Sequence, residues 1–195
     1  MGNFLDQHRD RMWVRNYNTV VRWKVYNVTS KSESMSDRQL SPFYPHGGIP
    51  VPGNPGLTSE SLEGVWQGLK VIEHEGVNPK KFKNATMLNI KRSKGSKWGD
   101  IRGHWLGPLN EPDSSDAVQL LGYINARRQV YVPMLTWVLE NKVEGLVQEL
   151  VRGACESDIV LLDYYTNVDV DHIDEPLSHA GLLKQYIENN WQRLM

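Results

Sequence analysis

Ser61-Leu62-Glu63-Gly64-Val65-Trp66-Gln67-Gly68-Leu69-Lys70 follows a loop dense in proline and glycine and reads as the start of a helix. On a helix Glu63, Trp66, Gln67 and Lys70 stand at i, i+3, i+4 and i+7 and line one stripe. A carboxylate, an indole, an amide and an amine make poor core material. They suit a pocket for a sugar or a heterocycle: the ring stacks, the amide bonds hydroxyls and the charged pair does chemistry. The alternative is a partly exposed helix whose Glu63 and Lys70 face water while Trp66 and Leu69 are buried.

Before this stretch, Leu40 to Gly56 holds five prolines and four glycines, which exclude a helix or an interior strand. Phe43, Tyr44, Ile49 and Val51 are too apolar for a solvated tether, so an ordered loop folded over a surface is expected. Thr58-Ser59-Glu60 supplies N-cap candidates for a helix from about Ser59 to His74, ending near Gly76 and Pro79. A short helix over Pro79 to Asn84 follows, then a turn of helix or strand over Ala85 to Ile90. Lys91 to Gly103 is basic and glycine-rich, with Trp98, His104 and Trp105 beside it. It reads as a solvated loop or as a surface for phosphates and bases.

Toward the termini, Val14 to Thr29 (including Val20 and Val21) is rich in β-branched and aromatic residues and predicts one or two strands; Ser30 to Asp37 reads as a polar loop. Asp113 to Asp116 predicts a cap for a helix from near Ala117 to Asn141, kinked or restarted at Pro133. Val143 to Arg152 reads as an amphipathic helix and Ile159 to Tyr165 as a buried strand. An acidic loop carrying Asp169, Asp171, Asp174 and Glu175 leads to a last helix from Ser178 to Trp191. The expected fold is α+β, mainly α-helical, one domain over residues 1–195 with a small β-sheet.

A chain of 195 residues, 39% hydrophobic and 23% charged with a net charge of −1, has an ordinary globular composition and no basic footprint for nucleic acid. Cys155 is the only cysteine, which excludes an intramolecular disulfide and a cysteine-based metal site. Met1 to Asp6 turns polar at once and no apolar run approaches a membrane span, so no membrane association and a cytoplasmic location are expected. His172 among Asp169, Asp171 and Asp174 lacks calcium-loop spacing and reads as an acidic solvated loop. No phosphate-binding loop, dinucleotide fingerprint or serine-nucleophile motif occurs, so no metal and no cofactor are expected. His179 after Ser178 reads as the neighbour of a helix cap.

Taken in order, these pieces resemble the NADAR (YbiA-like) family of small N-glycosidases over residues 25 to 190. That family carries an S-N-F loop, then T-S-E-H-Y-F-Q-A-Q-K on a helix, and an N-x-L-G-x-L-L helix near its end. Here Leu40-Ser41-Pro42-Phe43 stands for the loop. Ser61 to Lys70 matches at the Glu, the aromatic, the Gln and the Lys without a gap. Leu161-Leu162-Asp163-Tyr164-Tyr165-Thr166-Asn167 resembles the family's L-V-E-x-x-x-N strand, and Ser178 to Leu183 its final helix start. Pro42 replaces the loop Asn, Gly64 and Val65 replace His and Tyr, and an acidic loop stands where the family has W-G-x-G.

The resemblance implies hydrolysis of the C1′–N bond of a ribosylated base or amine, an ADP-ribosyl or ribose-phosphate N-glycoside. C1′ becomes positive as the base leaves, so a carboxylate beside it stabilises that charge or activates water. Glu63 takes that role, and Lys70 supplies an amine that could form a Schiff base with the opened sugar. Asp169 aligns with the family's acidic position. Phe43, Tyr44 and Trp66 would stack on or wall the substrate, while Gln67 and Asn167 would bond its hydroxyls. Two alternatives stay open: a glycosyl or pentosyl transferase acting on a nucleotide or nucleic acid, favoured by the basic stretch Lys91 to Trp105, and a non-catalytic module binding ADP-ribose.

Overall fold

A computed structural model describes residues 11–19, 22–92, 98–109 and 120–194. In chain order the elements are strands β1 (Met12–Asn16) and β2 (Lys24–Asn27), helix α1 (Met35–Arg38), strands β3 (Ile49–Pro50) and β4 (Thr58–Ser59), helix α2 (Leu62–Leu69) and strand β5 (Lys70–Ile72). A 3-10 turn at Pro79–Lys83 precedes β6 (Ile101–Trp105), β7 (Leu120–Leu121) and α3 (Tyr123–Ala126). A π turn at Arg127–Tyr131 leads into α4 (Val132–Asn141), then α5 (Glu144–Glu156), β8 (Ile159–Asp163), α6 (His179–Asn189) and α7 (Trp191–Leu194). The fold is thus mixed, helices with small sheets. No helix among the described residues is long and apolar enough to cross a membrane.

The chain divides into two compact units: one holds the residues up to Ser41 and from Thr136 onward, the other Pro42–Leu135. The first is built on a three-stranded sheet of order β1-β8-β2, with both outer strands parallel to β8. Every residue of β8 is buried, as expected of a central parallel strand, and this is why its sequence is a continuous apolar run. Where that run ends, Asp163 turns its carboxylate onto the start of α6. Its Oδ2 accepts hydrogen bonds from Ser178 Oγ (2.7 Å) and the Ala180 N–H (3.1 Å), and Oδ1 accepts from the Tyr164 N–H (2.6 Å). Ser178 is the N-cap, its Oγ accepting from the Gly181 N–H. The His179 ring spans from Asp163 Oδ2 (3.1 Å) to the Val28 carbonyl (2.7 Å), binding the end of β8 to the chain leaving β2.

The second unit is built around α2, all eight residues of which are buried. Ser61 caps it, accepting from the Gly64 N–H at 3.0 Å. Gly64 and Gly68 lie one turn apart and let the 3-10 turn approach. A Cβ on Gly68 would fall inside the Phe82 ring, and one on Gly64 would meet Ser59 Oγ at 2.6 Å and the Lys81 carbonyl at 2.9 Å. The glycine that departs from the NADAR pattern at position 64 is therefore a packing requirement. The antiparallel sheet β5-β6-β7 follows directly from the helix, with Lys70 opposite His104. The loop before α2 is ordered: the Pro42 carbonyl accepts from the Glu63 N–H (2.8 Å), Ile49 pairs with Ser59, and Ile49 and Val51 are in the core.

Several expectations are corrected. The helix ends at Leu69 instead of His74, because Lys70-Val71-Ile72 is a β-branched run that finds a ladder partner in β6. The helix cap is Ser61, since Thr58 and Ser59 are spent in β4. Residues 101–105 are a strand that begins inside the stretch Lys91 to Gly103, read as a solvated loop or a surface for phosphates and bases, and runs on through His104 and Trp105. Ala85 to Ile90 forms neither helix nor strand, and Met87 and Asn89 sit at φ 59° and 55°. The loop Ser30 to Asp37 contains the short α1, capped by Ser34. Leu120–Leu121, inside the range read as a long helix, is a strand. Farther on, the π turn contains Gln129, the carbonyl four residues before Pro133, and the wider turn relieves the ring's clash there. The cap at Asp113–Asp116, the helix start near Ala117, Val20, Val21, Lys94 and Lys97 lie outside the described residues.

Candidate functional site

The expected stripe exists, in altered geometry. Glu63 and Gln67 are one turn apart on α2, and Gln67 Nε2 donates to Glu63 Oε1 at 2.7 Å. Lys70 has left the helix, with ψ at 125°, yet its Nζ still donates to Gln67 Oε1 at 3.0 Å. The amide links carboxylate and amine into one chain. Glu63 is 7% exposed and so does not face water as the surface-helix alternative requires, Lys70 is half-buried, and Gln67 between them is 4% exposed. Glu63 lies in the first turn of α2, where unsatisfied N–H groups and the helix dipole favour a negative charge.

Arg92 supports this chain from outside. Its backbone N–H donates to Gln67 Oε1 (3.1 Å), fixing which amide atom faces Lys70. Its guanidinium donates to the carbonyls of Lys70 and Gly76 and pairs with Glu75 Oε2 at 2.8 Å. That donation holds the Glu75 carboxyl below its ordinary pKa against the opposing effect of burial. One arginine thus fixes the backbone that carries the amine and the amide that contacts it.

Trp66 sits in an aromatic box. The His104 ring lies against it with centroids 3.8 Å apart and planes at 31°; Tyr131 approaches edge-on at 5.5 Å and Tyr123 at 6.0 Å. The indole is a wall whose face is covered by the imidazole. Tyr123 also carries the buried Arg127: its hydroxyl accepts from that guanidinium at 3.1 Å, and the cation stands 4.3 Å from the ring centroid. His104 is 1% exposed, and neither ring nitrogen has a hydrogen-bond partner among the described residues. Burial, with the Lys70 charge adding to it, pushes its pKa down to about 3, so the ring is neutral at physiological pH.

Phe43 and Tyr44, in the loop that begins at the Pro42–Glu63 bond, are half-buried. Lys91 Nζ lies 5.7 Å from the Phe43 ring centroid, and the Tyr44 ring packs on His46 at 4.8 Å. Asn167 and Asp169 belong to the other unit. Asn167 there ties the acidic loop together, donating to the carbonyls of His172 and Glu175 and accepting from the Asp169 N–H. Asp169 is exposed, and its Oδ1 accepts from the Asp171 N–H. Among the described residues no group of three or more His, Cys, Asp or Glu side chains is arranged to hold a metal ion.

The sequence places Arg92 and His104 only in or beside a basic, glycine-rich stretch, and nothing in it singles out Arg127 or Tyr131. The alternation Ile101-Arg102-Gly103-His104-Trp105 was the available signal for a strand, and a strand opposite Lys70 brings His104 to the same face.

The two units thus define a mixed α/β protein in which one unit holds a buried carboxylate and amide bonded to a half-buried amine, beside an aromatic box. Residues 8–183 match the model of a family of unknown function (DUF6939), and the chain belongs to that family. The match makes no link to NADAR proteins. No curated protein and no solved structure matches the chain.

Proposed function

We propose that the chain is an N-glycosidase-type hydrolase that cleaves the C1′–N bond of a ribosylated base or amine, an ADP-ribosyl or ribose-phosphate N-glycoside, in the unit Pro42–Leu135. The observation that supports this reading is the hydrogen-bonded chain of the buried Glu63 and Gln67 and the half-buried Lys70. As the C1′–N bond breaks, its electron pair leaves with the base, which takes up a proton. The positive charge left on C1′ and the ring oxygen requires an anion in a site of low dielectric, and the Glu63 carboxylate meets both conditions. A new bond to C1′ then comes from water or from the Lys70 amine. In the second case the C1′–O4′ bond then breaks, O4′ takes up the proton lost from Nζ as the ring opens to an imine, and one water hydrolyses that imine, releasing the sugar and returning the lysine. Gln67 holds both groups in place. Phe43 and Tyr44 wall the ligand from the neighbouring loop.

The test is borohydride trapping with an ADP-ribosylated nucleoside and with a ribose-phosphate N-glycoside. Substrate-dependent adduct on the native chain, absent from Lys70→Ala, supports the imine route. Turnover by Lys70→Ala without any adduct removes the imine and leaves Glu63 with water. Absence of turnover and of adduct on the native chain with both compounds overturns the proposal.

A further inference from the structure

The three strands of the first unit all point the same way, so their carboxyl ends lie together. In open parallel sheets that edge is where ligands bind, because the loops leaving it diverge and expose polar groups between them. Here β1 and β2, consecutive in the chain, are parted in the sheet by β8, so three separate loops meet at one edge. Each brings a group of the same character. Tyr17 follows β1 directly, and Tyr164 follows β8 directly; the rings meet edge to face at 4.9 Å. Lys31, on the loop after β2, places its Nζ 5.4 Å from the Tyr17 centroid and 5.9 Å from that of Tyr164. Ser30 Oγ is 3.5 Å from the Tyr164 hydroxyl.

This cluster is held by backbone. The Tyr17 N–H donates to the Asp163 carbonyl at 2.7 Å, and Asn16 Nδ2 to the Tyr164 carbonyl at 2.9 Å. Its functional atoms are left over: among the described residues the Lys31 ammonium has no carboxylate partner and the Tyr17 hydroxyl no hydrogen-bond partner. The exposed Lys31 ammonium and the hydroxyls of the half-buried Ser30, Tyr17 and Tyr164 form a set of donors on adjacent loops. A carboxylate has two oxygens to offer such a set; a phosphate monoester has three, with close to two negative charges. The next residue, Tyr165, is 44% exposed and offers a ring to a planar group.

We infer that the carboxyl edge of β1, β8 and β2 is a phosphate-binding site for a mononucleotide, with the phosphate at Lys31, Ser30, Tyr17 and Tyr164. It is independent of the Glu63 chemistry. Calorimetric titration of the full chain with AMP, inorganic phosphate and adenosine tests it. AMP binding should weaken at least roughly tenfold in Lys31→Ala, the loss of one charge-assisted contact, and recover in Lys31→Arg. Lys31 is exposed, so these variants fold. AMP is itself a ribose-phosphate N-glycoside and a ligand for the site proposed in the other unit, so only the AMP binding lost in Lys31→Ala is assigned to this edge. Inorganic phosphate binding as tightly as AMP, with the same Lys31 dependence, keeps the anion site and assigns it to free phosphate. A Lys31-dependent affinity for adenosine equal to that for AMP, AMP binding with no component lost in Lys31→Ala, or no AMP binding up to about 5 mM overturns the inference.

Discussion

The imidazole of His104 stacks on the indole of Trp66 with no hydrogen-bond partner for either nitrogen among the described residues. Burial keeps the folded ring neutral down to about pH 3, whereas an unfolded histidine takes up its proton near pH 6.5. Above that pH both states are neutral and the residue adds no pH dependence. Below it the unfolded chain binds the extra proton, so stability falls with pH at up to about 1.4 kcal/mol per unit. Denaturant titrations from pH 7 to pH 4 should show this slope, and His104→Phe should flatten it while keeping the stacked ring. An unchanged slope in the variant would place the acid sensitivity elsewhere.

Gly68→Ala should be among the most damaging small substitutions in the chain. The methyl would occupy the place of the Phe82 ring, and Phe82 is itself fully buried. Overpacking of this kind costs about 1–3 kcal/mol, read as a lower denaturation midpoint at constant m. Adding Phe82→Leu should recover part of the loss, and strict additivity in that double-mutant cycle would refute the contact's role.

Asp163→Asn keeps the shape of a side chain surrounded by donors: Ser178 Oγ, the N–H groups of Tyr164 and Ala180, and the His179 ring. An amide presents its own donor to that set and leaves buried groups unmatched. The expected loss is about 2–4 kcal/mol, with amide exchange rising first at the start of α6. A loss below about 0.5 kcal/mol would mean that the cluster repacks freely.

Glu63→Gln tests the proposed chemistry with little change of shape. The variant still accepts from Gln67 but cannot balance a developing cation. Turnover of an N-riboside should fall roughly a hundredfold or more, about 3 kcal/mol, with a melting point close to that of the native chain. Full activity in this variant would remove Glu63 from the site.

The elements legible in the sequence are those whose cause is local. Ile159–Asp163 announces itself by an unbroken apolar run, α6 by Ser178 and the buried set Leu182, Leu183, Tyr186 and Ile187, and α2 by the end of the proline- and glycine-rich loop, though its cap is Ser61 and not a residue of Thr58-Ser59-Glu60. What escaped depends on distant partners. Lys70 leaves the helix because a strand about thirty residues onward pairs with it, and neither Val71 nor Ile72 states that. His104 looked like one more polar residue in a glycine-rich stretch until the ladder set it opposite Lys70. The Glu63–Gln67 contact was legible because one helical turn enforces it; Arg92 was not, since twenty-five residues separate it from Gln67.

The place of β8 in its sheet bears on how the protein is made. β1 and β2 emerge from the ribosome well before the strand that joins them, which spans residues 159–163. Until it arrives they have no partner in this sheet, while the residues of the unit Pro42–Leu135 have already been synthesised. The order of synthesis therefore favours the inserted unit folding first and the sheet closing last, across a loop whose closure entropy makes that step the slow one. During that interval two unpaired strand edges, one bearing the exposed Trp13, are open to other chains, so this is the period in which a chaperone would matter most.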